Sequence, residues 1–165
     1  MSSQKISSNC SLYNVSSVST TSRKVKIAII IAYTYPNIKA DLKTYWQSYI
    51  NYGPNSTPPN ITVYTMPNAV QNSTWAQEEC LDVQMICNIN PNADIYVVEA
   101  KSNNIIDLMS AVKYATNTIN ADVLSMSWGT DDSTTLTQYN SNFNNPLKCY
   151  CVSSGDSNTV RRNIR

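Results

Sequence analysis

Short apolar runs alternate with helix-spaced segments along most of this chain. The first run, residues 25–33, is continuous and β-branched, which is typical of a strand buried on both faces. Further strands are predicted at residues 61–66, 95–100, 122–128 and 147–152. The intervening segments predict helices at residues 39–50, 74–88, 105–119 and, more weakly, 134–143. A capping box is expected at residues 74–77, where the second helix begins. This alternation predicts a mostly parallel α/β sheet with helices on both faces.

Charge and hydropathy exclude several classes of function. The formal net charge is +1 over 165 residues, so the chain has no electrostatic footprint for nucleic acid or for an anionic membrane. The longest apolar run, residues 27–32, is far too short to span a bilayer. The polar start of the chain has no stretch like a signal peptide. We therefore expect no nucleic-acid partner, no membrane span, and an intracellular or virion-associated protein.

The chain contains no histidine, which limits the chemistry open to it. Neither a Ser-His-Asp site nor the usual His-based metal centre can be built, so acid–base work would fall to carboxylates. Glu78 and Asp82 are four residues apart on a predicted helix and project together, so they are candidates for such a pair. Glu79 and Asp82 offer an equally suitable spacing. The alternative is an ordinary solvated acidic face.

Two strand ends carry further candidate residues. Ser127, Trp128 and Gly129 close the fourth strand and could offer their backbone to an extended peptide, although a core tryptophan is the alternative. Asp156 follows Gly155 after the last strand, where a protonated carboxyl could donate to an oxyanion, although an ordinary turn is the alternative. The carboxyl ends of parallel strands are where reactive groups of such sheets lie.

The five cysteines are expected to be structural. Cys80 and Cys87 share a face of one predicted helix, and Cys149 and Cys151 share a face of the last predicted strand. No Cys-x-x-Cys pair occurs, so no metal site is expected. The pattern favours small buried thiols in a reducing compartment.

In order and content these segments resemble the sedolisin family, the serine-carboxyl peptidases on a subtilisin-like fold. The resembling segments are residues 28–36, 40–45, 75–83, 95–102, 124–129 and 152–157. The resemblance implies a subtilisin-like but truncated α/β domain at residues 25–157. It is preceded by a flexible polar arm at residues 1–24 and followed by a divergent basic tail at residues 158–165.

The resemblance also implies roles for single residues. The family uses a Glu–Asp–Ser triad, in which Glu78 would match the general base and Asp82 the residue that orients it. Asp156 would match the oxyanion residue, and residues 127–129 the segment that pairs with the substrate backbone. A peptide or protein substrate is thereby implied. The family's calcium site would lie beyond Arg165, so no cofactor is expected in this chain.

One required element of that family is missing from the sequence. The nucleophile belongs to a Gly-Thr-Ser-x-Ser-like motif, whereas here the single Gly-Thr, Gly129-Thr130, is followed by Asp131. Ser157 adjoins Asp156, but Asn158 stands where the family usually has glycine. A base without a nucleophile cannot form an acyl-enzyme, so the chain alone is expected to be inactive. The alternatives are a split enzyme completed by another chain, a non-enzymatic binding or assembly protein, and a degenerate product without a role. The last strand is expected to form an apolar exposed edge open to a protein partner.

Overall fold

The computed structural model describes residues 23–51, 53–130 and 134–155. Within them, five strands form one parallel sheet in the order β2-β3-β1-β4-β5. The strands are Lys26–Ala32 (β1), Ile61–Thr65 (β2), Asp94–Ala100 (β3), Val123–Met126 (β4) and Cys149–Val152 (β5). The predicted parallel α/β sheet is confirmed, and each strand lies within about two residues of its expected bounds.

Helices connect the strands and cover both faces of the sheet. Helix α1 is Ile38–Tyr45 and continues as a π-helical turn, Trp46–Ile50; α2 is Ser73–Ile89; α3 is Ile105–Tyr114 and continues as a π-helical turn, Ala115–Ile119. The weak helical segment before β5 forms a 3-10 helix, Thr134–Phe143. None of the helices in the described residues is long and apolar enough to cross a membrane.

The start of α2 differs from the expected capping box at residues 74–77. The cap is Asn72, whose side-chain oxygen accepts hydrogen bonds from the backbone N–H groups of Thr74 and Trp75, each at 3.1 Å. Its backbone is extended, which is the usual geometry of a capping residue. Helix α2 therefore begins before Thr74, at Ser73, so a full helical turn precedes Glu78.

The sheet separates two apolar cores because its central strand is buried on both faces. On one face, Ile29 and Ile31 of β1 pack with residues of α1 and α2, including Leu42 and Val83. On the other face, Ala28 and Ile30 pack against α3, including Leu108 and Val112. The continuous apolar run of β1 thus reflects a strand with no solvent-facing side.

The two edges of the sheet carry different charge arrangements. At the amino ends of the strands, Arg23 pairs with Asp122 at 2.9 Å and Lys24 with Asp94 at 3.7 Å. Asp122 also accepts a hydrogen bond from the backbone N–H of Lys26 at 2.9 Å. The carboxyl ends instead carry acidic and hydroxyl side chains, which are described below.

Among the described cysteines, only Cys87 matches the prediction of a fully buried thiol, and Cys10 lies outside the described residues. Cys87 is buried and Cys80 partly buried on α2, whereas Cys149 and Cys151 are both exposed on β5. Strand β5 is at the edge of the sheet. Helices α1 and α2 lie on the same side of the sheet as its two thiols but do not cover them. The apolar edge expected from residues 147–152 therefore carries exposed thiols beside Val152.

Candidate active site at the carboxyl ends of the strands

The candidate base pair lies on α2, beside the carboxyl ends of β1 and β4. Glu78 is partly exposed, and Asp82, one turn later, is partly buried. Their spacing of four residues places both on the same side of α2. The expected geometry of the pair is thus compatible with the helix that the structure contains.

Asp82 is tied to the end of β4 by one hydrogen bond. The Ser127 hydroxyl donates to Asp82 Oδ1 at 2.9 Å, while Oδ2 is buried without a hydrogen-bond partner in the described residues. Burial raises the pKa of Asp82 to about 6, against the lowering effect of the Ser127 hydrogen bond. Asp82 can therefore hold a proton under mildly acidic conditions. The structure thus brings together two sequence-predicted segments that are 45 residues apart.

Glu79 is the most deeply buried carboxyl of α2. It is 1% exposed, and its Oε1 has no hydrogen-bond partner in the described residues. Burial, reinforced by the charges of Glu99 and Asp82, raises the pKa of Glu79 to about 9. Glu79 is therefore protonated at neutral pH. This residue is the inner member of the Glu78-Glu79 pair, whereas Glu78 is the one that solvent or a substrate can reach.

A second buried carboxyl, Glu99 at the end of β3, joins three strand ends. It is 1% exposed and accepts hydrogen bonds from the backbone N–H of Tyr35, at 2.8 Å, and from the Thr65 hydroxyl. Tyr33 precedes this loop in the left-handed region, at φ 65°, which is rare for a bulky residue. Both Glu99 oxygens therefore have hydrogen-bond donors, whereas Glu79 Oε1 has no partner among the described residues.

A further carboxyl, that of Asp41 on α1, extends the acidic cluster towards Cys80. The Tyr35 hydroxyl donates to Asp41 Oδ2 at 2.5 Å, and the Cys80 thiol lies 3.8 Å from the same oxygen. The hydrogen bond to Asp41 raises the pKa of Tyr35, and burial with the Asp41 charge raises that of Cys80 to about 11. Cys80 is therefore a neutral thiol and an unsuitable nucleophile.

The segment expected to pair with a substrate backbone contains a buried tryptophan and an exposed glycine. Trp128 is 5% exposed, and its indole N–H donates to the Ile30 carbonyl at 3.0 Å, so the ring belongs to the core. Gly129 follows it, and a Cβ added there would meet nothing within 4 Å. The Trp128 carbonyl accepts a hydrogen bond from the Ser153 hydroxyl at 3.4 Å, so Gly129 is the most exposed residue of this segment.

Asp156, the predicted oxyanion residue, lies outside the described residues, as does Ser157. Among the residues that the structure describes, no group of three or more Cys, Asp or Glu side chains could hold a metal ion.

Sequence reasoning overlooked part of this cluster. Glu99 is a charged residue in the fully buried part of β3, and that mismatch was a usable signal. Asp41, Tyr35 and Thr65 carried no comparable signal, because their convergence depends on how the loop after β1 meets β2 and β3.

The parallel sheet with helices on both faces defines an α/β protein with a subtilisin-like fold. No family model matches the sequence, and no curated protein matches it. Nine chains of solved structures match. One is Pseudomonas sedolisin, a serine-carboxyl proteinase, complexed with two molecules of pseudo-iodotyrostatin, with a TM-score of 0.63 and 14% identity. The match covers 94% of this chain and 45% of that one, so the chain spans less than half of its length. At this identity the likeness concerns the fold.

Proposed function

We propose that this chain is a partial serine-carboxyl-peptidase-like domain that retains a base pair and a peptide-binding backbone but does not cleave peptides by itself. The observation that carries the proposal is the 2.9 Å hydrogen bond between Ser127 and Asp82. It joins the helix of the candidate base to the strand end that would receive a peptide. An ordinary solvated acidic face would not be expected to form this hydrogen bond to the strand end.

The protons of the site support a role for Glu78 as the base. Below its pKa of about 6, Asp82 is protonated and can donate to a neighbouring carboxylate. Glu78, one turn earlier and partly exposed, is the carboxylate available to receive such a bond and to take a proton from an incoming hydroxyl. Asp82 would orient Glu78, and Ser127 would orient Asp82. The pair would operate under acidic conditions.

The missing step is nucleophilic attack. The sequence contains no Gly-Thr-Ser-x-Ser segment, and Ser127 has its hydroxyl proton committed to Asp82. Without a nucleophilic serine supplied by that motif, the base has no proton to remove and no acyl-enzyme forms. The 165 residues would therefore bind an extended peptide without cleaving it.

A hydrolysis assay tests this proposal. The purified chain is incubated with an unfolded protein between about pH 3 and 5, where Asp82 is protonated, and Glu78→Gln is the matched control. We expect equal, background-level cleavage from both proteins. Cleavage that Glu78→Gln abolishes would contradict the proposal, because these residues would then form a complete enzyme. Cleavage that survives the substitution would arise from another site or a contaminant.

A second candidate function is a split peptidase whose remaining part is a separate chain. The observation that favours it is the match to less than half of the sedolisin chain. Under this alternative, the edge strand β5 would pair with the partner, since an unpaired edge is a template for another strand. The DNA that follows the Arg165 codon, read in all frames, tests it. A nearby Gly-Thr-Ser-x-Ser segment would support the split enzyme, and its absence would leave the binding or assembly role.

A further inference from the structure

Two exposed thiols lie close together on one face of strand β5. Cys149 and Cys151 are both exposed, and their sulfur atoms lie 3.8 Å apart. In the sheet register Cys151 is aligned with Ser125 of β4, which is aligned with Ile29 of β1. Aligned residues of a parallel sheet point to the same side, so both thiols lie on the face that carries α1 and α2. Cys80 and Cys87 lie on α2 and take no part in this pair.

The distance between the two sulfur atoms fits chelation of a metal ion better than a disulfide bond. Two thiolates on a tetrahedral zinc ion, with bonds of about 2.3 Å, are about 3.8 Å apart. A disulfide needs sulfurs about 2.05 Å apart and Cα atoms no more than about 6.8 Å apart. Alternate residues of a strand are separated by about 6.6 Å, close to that limit. Chelation of an ion therefore needs less movement of β5 than oxidation does.

From this geometry we propose that Cys149 and Cys151 form a two-thiolate site for a thiophilic divalent cation of the zinc class. The two remaining tetrahedral positions are filled by water. The site has two protein ligands. It is therefore not one of the clusters of three or more ligands, of which the described part of the chain has none. The site lies at the edge of the sheet and is independent of the proposed base pair.

Proton release follows from the same contact. The ligands of such an ion are thiolates, whereas free thiols carry protons. Binding exchanges them: one divalent cation and two thiols give one bis-thiolate complex and two protons. No oxidant or reductant is needed. The bound state is therefore recognisable by two protons released per ion.

Cadmium titration of the full chain tests the site, because cadmium–thiolate bonds absorb in the ultraviolet. The titration is run at about pH 7, below the ordinary cysteine pKa of about 8.5, with proton release measured in parallel. Cys149→Ser and Cys151→Ser remove one ligand each. The matched control, Cys10→Ser combined with Cys80→Ser, removes two other thiols and keeps the pair. Circular dichroism verifies that every variant is folded.

We expect one ion and about two protons per chain, unchanged in the control variant. Loss of an outer-shell partner alone weakens metal binding by roughly 10–100-fold, so loss of either ligand should weaken it at least as much. The proposal is overturned if Cys149→Ser or Cys151→Ser binds like the unmodified chain. It is also overturned if the control variant loses binding, or if one ion binds per two chains, because the ligands would then lie elsewhere.

Discussion

Ser127 Oγ donates to Asp82 Oδ1 at 2.9 Å, and this bond joins α2 to the end of β4. Because the hydrogen bond favours the charged carboxylate, Ser127→Ala should raise the pKa of Asp82 above its value of about 6. A hydrogen bond to a charged group contributes about 1.5–3 kcal/mol, so the free energy of unfolding should fall by a similar amount at neutral pH. Carboxyl-carbon NMR titration and urea unfolding measure the two effects.

The matched control for this prediction is Ser125→Ala, two residues earlier on the same strand. Ser125 lies on the same face of β4, and its substitution leaves the contact between Ser127 and Asp82 in place. We expect the pKa of Asp82 to stay near 6 in this variant. An equal shift in both variants would mean that the strand end, rather than the hydroxyl, sets the pKa.

Glu79 should make the protein less stable as the pH rises. Its pKa is raised from 4.5 in the unfolded chain to about 9 in the fold, so the folded state binds the extra proton between these values. This contribution is fully present below the unfolded pKa and is lost as the pH rises through the folded pKa. The free energy of unfolding should fall by up to about 1.4 kcal/mol per pH unit in this window. Glu79→Gln cannot ionise and should remove that slope.

Urea unfolding at about pH 5 and pH 8 measures the slope. Glu78→Gln is the control, because Glu78 is partly exposed and adjoins Glu79 on the same helix. We expect it to keep the decline in stability that Glu79→Gln loses. If both variants decline as steeply as the unmodified chain, the buried proton does not reside on Glu79.

Asn72 fixes the start of the helix that carries the candidate base. Its side chain accepts from the N–H groups of Thr74 and Trp75, which otherwise have no partner within the helix. Asn72→Ala should lower the free energy of unfolding by about 1 kcal/mol, whereas Asn72→Asp, which keeps the accepting oxygen, should change it little. Thermal unfolding of the two variants compares them. Equal loss in both would show that the amide has a role other than capping.

Much of the fold could be predicted because its signals are local. The β-branched run of β1 indicates a strand buried on both faces, and the spacing of Leu108 and Val112 indicates the buried stripe of α3. The spacing of Glu78 and Asp82 similarly predicts that they share a turn. Each of these inferences depends on residues that are close together in the sequence.

The rest depends on contacts between distant segments. Glu79 shares the buried stripe of α2 with Val83 and Cys87, but Glu99, whose charge acts on it, belongs to a distant strand. Similarly, Cys149 and Cys151 occupy alternate positions, as the buried residues of an interior strand do. They are exposed because the helices of their face lie over β1 instead of β5. Sequence periodicity identifies a shared face but does not say whether another element covers it.

Gly129 provides the means of testing the peptide-binding role. A Cβ at this position would meet open space in the free protein, so Gly129→Ala should fold normally. The added methyl group would lie where the backbone of a bound peptide must approach, so binding should weaken. Gly129→Ala thus separates the stability of the domain from its capacity to bind.

The central claim is that residues 127–129 bind an extended peptide beside the pair Glu78 and Asp82 without cleaving it. The most direct measurement is one NMR titration at about pH 4, where Asp82 is protonated, that follows backbone amide shifts and peptide integrity in the same sample. We predict saturable shifts at Ser127, Trp128 and Gly129, weakened in Gly129→Ala, with the peptide intact. No shifts in this segment, or steady cleavage of the peptide, would contradict the account.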